Sequence, residues 1–378
     1  MKNLQYLTAY LMALSLCMFV SCKGTEYAEN IVEGYDKLVN HNGEGIVGIQ
    51  YEIIPLSEKG EGILTYPSKV AMNDYAIYIM DDNKVLSYDF KGNFRAQIGR
   101  FGHGDKEYIN ASTFYIDSDS KIVLYDSYKN VLLRYSKQGK VIDERKVSGG
   151  VMTNAQTILP VNENRLFVYN YIYNKNNRLC SIVDLENEDE EVVSSTPVSS
   201  ENAKEYVGHN PCSQYNGIIR YLRPFDQHIY TLWGDTALVV DTKEKLMTET
   251  ELAQIKNYSI VTYADCMNNG GFTGFTDIYE TSRYLILSCH NIAYTIIDKK
   301  TLTCKRYKYK VGENIDASPL CNILGVHNNT LIGLLPKEKV EEIIKTSKSR
   351  LSTALQKSMN NQQAEHYVVL FDMTDCGL

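Results

Sequence analysis

The stretches "IYIMDDNKVLSYDFKGNF", residues 77–94, and "IVLYDSYKNVLLRYSKQGKV", residues 122–141, follow one plan. Each has a short apolar run, a turn containing Asp, a second run, a turn containing Gly and the start of a third run. Gly92 and Gly139 stand in the second turn, where a positive φ costs glycine least. The opening of this unit recurs along the chain as "NENRLFVYN", "FDQHIYTLW", "ETSRYLILS" and "HNNTLIGLL". With Ile77, Ile122, Leu166, Ile229, Leu285 and Leu331 as landmarks, there are six copies, most of them about 45 residues apart. Two longer gaps, on either side of Ile229, read as insertions. A period of this size is that of a four-stranded propeller blade, so the expected fold is all-β, a six-bladed β-propeller with short helical insertions. An irregular set of hairpins in a sandwich is the alternative that the same turn spacing allows.

Composition agrees. The chain has 378 residues, 44% of them apolar, and 29 tyrosines against 10 phenylalanines and one tryptophan. Tyrosine suits a pleated, half-buried surface. A net charge of −7 and the lack of a long basic run argue against nucleic-acid binding, which needs clustered Lys and Arg. The seven cysteines after Cys22 form no CxxC pair and no metal-type spacing. An isolated cysteine in a β-run is most often a small buried hydrophobe.

The first residues, "MKNLQYLTAYLMALSLCMFVSC", carry one early lysine and an apolar run that ends at Ser21 before Cys22. This pattern reads as a secretory signal over 1–21. The ending Phe19-Val20-Ser21-Cys22 resembles a bacterial lipobox, which implies acylation of Cys22 and a lipid anchor in the cell envelope. A plain signal peptide or a single membrane anchor is the alternative reading. Residues 22–45 are polar and read as a tether, and residues 46–378 as the propeller domain. The alternating run "IVGIQYEII" (46–54) has no blade of its own, and the last copy is one strand short. Pairing of 46–54 with "HYVVLFDM" (366–373) is therefore expected, so that both chain ends complete one blade. Two segments read as helical: 246–258, and 336–365 with Val340, Ile343, Ile344, Ser347, Leu351 and Leu355 close to one face.

Between the first two copies lies "QIGRFGHGDKEY" (97–108), which must carry the chain from the rim of one blade to the axis. Here the sequence resembles the six-bladed β-propeller lipoproteins of Gram-negative bacteria, related to NHL-repeat propellers. Their hallmark is a Gly-x-Gly-Pro-Gly-Glu-Tyr-like turn. Gly102, His103, Gly104, Glu107 and Tyr108 match it, while Asp105 and Lys106 replace Pro and Gly. The resemblance covers residues 46–375 in organisation and 70–145 in motif. It implies a fold and an envelope location, and it carries no single activity.

No GxSxG elbow, Walker A loop, HExxH or EF-hand pattern is present. No cofactor and no metal are expected. His103, His209, Asp265 and Asp277 lie near rim-to-axis crossings and would serve a propeller hydrolase or lyase if they converged; polar loop residues are the plainer reading. The preferred reading is a non-catalytic site on the axial face for a small glycan or peptide. Its expected residues are Arg100, His103, Tyr206, His209, Tyr215, Tyr263, Phe272 and Phe275, drawn from 99–108, 201–217 and 257–275. Packing of these aromatics onto the blades is the competing explanation. A scaffold role with an envelope protein partner is the third class.

Overall fold

The computed structural model describes residues 31–33, 48–147, 152–171, 177–187, 189–195, 210–232, 236–243, 245–246, 248, 271–289, 293–308, 320–347, 349–359 and 364–377. Six antiparallel sheets, each built on four strands, form a six-bladed β-propeller. In order from the axis outwards, blade one comprises Pro67–Met72, Ile77–Asp81, Lys84–Tyr88 and Phe94–Ile98. Blade two runs from Ala111–Ile116 to Val141–Lys146, blade three from Ala155–Pro160 to Glu190–Ser195, and blade four from Cys212–Tyr215 to Thr236–Val240. Blade five runs from Asp277–Glu280 to Thr303–Lys308. Blade six closes the ring: Ile323–His327, Thr330–Pro336 and His366–Asp372 are completed on the outside by Gln50–Pro55. The register of that closure is antiparallel, Gln50 opposite Asp372 and Pro55 opposite Tyr367. The expected pairing of the two chain ends is thus observed over 50–55.

The reason the strands read as near-continuous apolar runs is that both faces of every blade are covered. Six clusters of buried side chains lie between neighbouring blades. In blade one, Ile77 and Ile79 pack towards blade six, while Tyr78 and Met80 pack towards blade two, as a period of two requires. Ile122 and Leu124 likewise face blade one, and Val123 and Tyr125 face blade three. The tyrosine excess has a matching cause. The rings fill the gaps between blades, and some of their hydroxyls donate to backbone carbonyls across them. Tyr169 of blade three bonds Leu222 O of blade four (3.0 Å), and Tyr279 of blade five bonds Ile323 O of blade six (2.6 Å). Phenylalanine would fill the space and orphan the carbonyl.

Four sequence expectations change. The landmark Ile229 falls on the third strand of blade four, His228–Thr231; the strand equivalent to the other landmarks is Ile218–Leu222. The count of six survives because the slip stays within one blade. Residues 31–33, assigned to the tether, belong to the propeller: Ile31–Val32 adds a parallel strand outside blade four, and Glu33 bridges to Thr303 of blade five. Val32 is fully buried, which a two-residue apolar stretch in a polar segment does not announce. Leu246, expected to open a helix, pairs in parallel with Phe272. The expected helix over 336–365 is two helices, α1 (Lys337–Thr346) and α2 (Arg350–Ser358). They are separated at Ser347, and Ser349 caps α2 by accepting from Ser352 N. Val340, Ile343, Leu351 and Leu355 bury one apolar face in the core between blades five and six, so the helices pack on their own domain.

Candidate functional site

The strand order gives the propeller two distinct faces. The connections from an outer strand to the next inner strand share one face with the turns between second and third strands. The hairpins joining first to second and third to fourth strands lie on the other face. The first is the crossing face and the second the hairpin face.

Arg100 and His103 are exposed on the crossing face. Their loop is tied to itself: Gly102 N donates to Tyr108 O (2.9 Å), Tyr108 N to Arg100 O (3.0 Å) and Gly104 N to the Glu107 carboxylate (2.9 Å). Arg100 pairs with Glu107 at 3.3 Å, and Lys129 Nζ donates to the carbonyls of Gly104 and Glu107 (2.8 and 2.5 Å). Lys106, which stands where the resembled motif has Gly, keeps a left-handed backbone (φ 59°). Tyr108 re-enters the core fully buried and accepts from Gln97 (2.8 Å).

The expected aromatic floor does not form from the described members. Phe272 and Phe275 are buried edge-to-face against each other in the core between blades four and five. Tyr215 lies at the opposite end of the molecule from Arg100: it ends the inner strand of blade four at the hairpin Asn216–Gly217. Its ring carries the Lys299 ammonium 4.6 Å from the centroid. Cys22, Tyr206, His209, Tyr263 and Asp265 lie outside the described residues. Asp277 accepts from Asn210 N (2.7 Å) and Thr276 Oγ1 (2.6 Å), which holds the crossing against the inner strand of blade five.

The hairpin face carries a groove of about 1020 Å³ between blades two and three that sequence reasoning missed. Its floor is Tyr115 and Ile116 of the inner strand of blade two and Pro160 of blade three, and Gln214 of blade four reaches its axial end. Its walls are the hairpins 117–119 and 161–164 and the outer-strand residues Asp143, Glu144 and Arg145. Each hairpin is an Asx turn: Asp117 Oδ1 accepts from Asp119 N and Lys121 N (both 2.9 Å), and Asn162 Oδ1 accepts from Asn164 N and Arg165 N (2.9 and 2.8 Å). Arg134 is clamped by Asp117 at 2.7 Å and Asp119 at 3.0 Å. Burial works against the Arg134 charge, yet bonding to Asp117 holds its pKa above the ordinary value. Burial, aided by the Asp117 charge, pushes the Tyr115 phenol up against the opposing fields of Arg134 and Arg145, so it stays a neutral donor. The groove therefore offers carboxylates, an arginine, amides and a phenol with its ring. A hint in the sequence was the Asp or Asn repeated at the turn after most of the inner strands. Which turns flank a gap depends on how two blades splay.

Two polar clusters elsewhere are structural in their bonding. Glu280, buried, binds Arg220 through both oxygens (2.6 Å each) and Lys299 (2.9 Å), locking blade four to blade five. Asp226, on the crossing face of blade four, bonds the ring of His228 and accepts from Tyr230 OH at 2.7 Å. Among the described residues, Cys180, Cys212, Cys321 and Cys376 are free thiols. Also among them, no three His, Cys, Asp or Glu side chains are placed to hold a metal ion, and no helix is long and apolar enough to cross a membrane.

The chain is thus a six-bladed propeller whose hairpin face holds a polar groove between blades two and three. It belongs to the DUF4934 family, a domain of unknown function whose family model matches residues 31–369. Among solved structures, it is similar to a Bacteroides fragilis protein named as exported, with a TM-score of 0.66 and 15% identity over 85% of this chain and 94% of that one. A member of the DUF4221 family from Bacteroides vulgatus gives a TM-score of 0.48 and 10% identity over 88% and 98% of the two chains. Virginiamycin B lyase from Staphylococcus aureus gives 0.41 and 12% over 75% and 81%. At these identities the likeness concerns the fold alone. No curated protein matches the chain.

Proposed function

We propose that the protein is a lipid-anchored propeller of the cell envelope that binds a small glycan or peptide, without turning it over, in the groove between blades two and three. The observation that carries this reading is the groove itself. It is concave, of ligand size, and lined by hydrogen-bonding groups that converge around one half-buried ring, Tyr115. This moves the expected ligand from the crossing face to the hairpin face. Tyr115 supplies a surface for stacking, and Glu163, Asn164 and Arg145 fix orientation. The test is a screen on glycan and peptide arrays, followed by calorimetry on wild type, Tyr115→Ala and Glu163→Gln. Loss of an anchoring aromatic costs about 2 kcal/mol in a desolvated pocket, roughly a thirtyfold loss of affinity. Binding untouched by both changes removes the groove from the reading, and turnover of a hit replaces it with the hydrolase or lyase alternative.

A second reading, docking of an envelope protein partner, is favoured by one observation. Tyr66, Phe101 and Tyr128 are 72%, 57% and 71% exposed, and all three stand on the crossing face of blades one and two.

A further inference from the structure

Five carboxylates and two guanidinium groups line the groove between blades two and three, a net charge of −3. Asp117 is occupied: its Oδ1 accepts from two backbone amides, and its Oδ2 binds Arg134 at 2.7 Å. Arg134 also reaches Asp119 at 3.0 Å, so one cation serves both carboxylates. Among the described residues, the carboxylates of Asp143, Glu144 and Glu163 have no hydrogen-bond or ion-pair partner. Arg145 is the remaining cation of the lining. The free carboxylates do not share one side. Glu163 belongs to a hairpin of blade three, while Asp143 and Glu144 belong to the outer strand of blade two. Apolar side chains complete the lining from both blades, Val123 and Leu132 on one and Val161 and Leu185 on the other.

A neutral ligand filling this groove strips water from the carboxylates and returns no charge, which opposes binding. A cationic ligand offsets that cost. Lysine suits the rest of the lining as well, because its aliphatic stem lies along apolar surface while its ammonium stays at the wet rim. An extended chain sends successive side chains to opposite sides, so neighbouring basic residues meet both walls. We propose, on the reading of the groove as the binding site, that its ligand is an extended basic peptide whose lysine or arginine side chains pair with Glu163 on one wall and Asp143 and Glu144 on the other.

Two further members of the lining fit this class. The ring of Tyr115 offers a face to which a cation is attracted. Arg145 has only donors, and the backbone carbonyls of a peptide supply the acceptors it needs. A glycan fits less well. Neutral sugars leave the carboxylates unanswered, and an amino sugar holds its amine directly on the ring, with no flexible stem to lie over Val161 and Leu185.

The experiment is calorimetry on the full chain with four probes: a Lys-Lys-Ala-Lys peptide capped at both ends, the same peptide with every lysine acetylated, a glucosamine trimer and an N-acetylglucosamine trimer. The lysine peptide should bind best, and several-fold more weakly as salt rises from about 50 to about 300 mM, because charges at the rim are screened. Asp143→Asn combined with Glu163→Gln should weaken it about fivefold, the loss of two solvent-facing ion pairs. Glu338→Gln, which removes an exposed carboxylate from α1, should leave it unchanged. No binding of the lysine peptide at millimolar concentration, equal binding of the acetylated peptide, or an equal loss in Glu338→Gln overturns the proposal. Preference for the glucosamine trimer overturns it in favour of an amino sugar. A neutral probe that binds best and is lost in Tyr115→Ala overturns the basic class and keeps the groove as the site, whereas lysine-peptide binding that neither the double change nor Tyr115→Ala weakens removes the groove itself.

Discussion

Lys106 shows how a single backbone conformation outlives the residue that made it cheap. The turn needs φ 59° at this position, and a lysine adopts it at a steric cost that glycine avoids. Lys106→Gly should therefore stabilise the domain by about 0.5–1 kcal/mol, the steric gain less the added freedom of the unfolded chain. A urea midpoint that falls would show that the Lys106 side chain contributes more than its backbone costs. Asp226 gives a pH prediction. Its burial favours the neutral form, but hydrogen bonds from His228 and Tyr230 outweigh this and hold its carboxyl below the usual range. A carboxylate depressed in the folded state contributes stability that is full above the unfolded value, about 3.9, and is lost as pH falls through the folded one. Asp226→Asn should lower stability at pH 7 and flatten its decline below about pH 4, read from denaturant midpoints across pH. An acid limb as steep as wild type would assign the decline to other carboxylates.

At the scale of elements, the outer strand Gln50–Pro55 decides closure. It pairs along its whole length with His366–Asp372, and α2 packs against it. Ile54 lies in the core between blades six and one. Without this strand, blade six exposes an open edge beside an uncovered apolar face. A chain beginning at residue 58 should aggregate or melt far below the full domain in calorimetry, and equal melting would mean that three strands suffice. The helices make a second test. Leu355 is fully buried where α2 meets the core of blades five and six, so Leu355→Ala should cost about 2–5 kcal/mol in chemical unfolding. A cost below about 1 kcal/mol would mean the helix is a detachable surface feature.

For the whole molecule, the ring places the two proposed surfaces on opposite faces. Among the described residues the groove on the hairpin face and the exposed aromatics on the crossing face are joined through the blades, so changes in one should leave the other intact. Tyr115→Ala should reduce ligand binding while retention by an envelope partner persists, and Phe101→Ala should do the reverse. The proposed lipid anchor is tested separately from both faces. Replacing Cys22 with Ala should release the protein from the membrane fraction and abolish fatty-acid labelling, because stable anchoring takes more than one acyl chain and Cys22 is where they would attach. Unchanged fractionation would leave a plain signal peptide or a membrane anchor in its place.

The blade repeat was legible in the sequence because the middle strands of the blades are buried on both faces by their neighbours, a demand that writes apolar runs and turn residues at a fixed period. Even chain closure could be read, from one unpaired alternating run and one incomplete copy. The amphipathic face of α1 and α2 was legible for the same reason, since periodicity encodes burial within a single element. The site was not. Arg100, Tyr215 and Phe272 look alike as polar or aromatic loop residues, yet one is exposed on the crossing face, one ends a strand on the hairpin face and one is buried between blades. Asp117, Arg145, Glu163 and Gln214 come from three blades and share a groove only once the ring closes. Local pattern records what each segment must bury; which polar groups meet depends on the angles between blades, and that is a property of the closed ring alone.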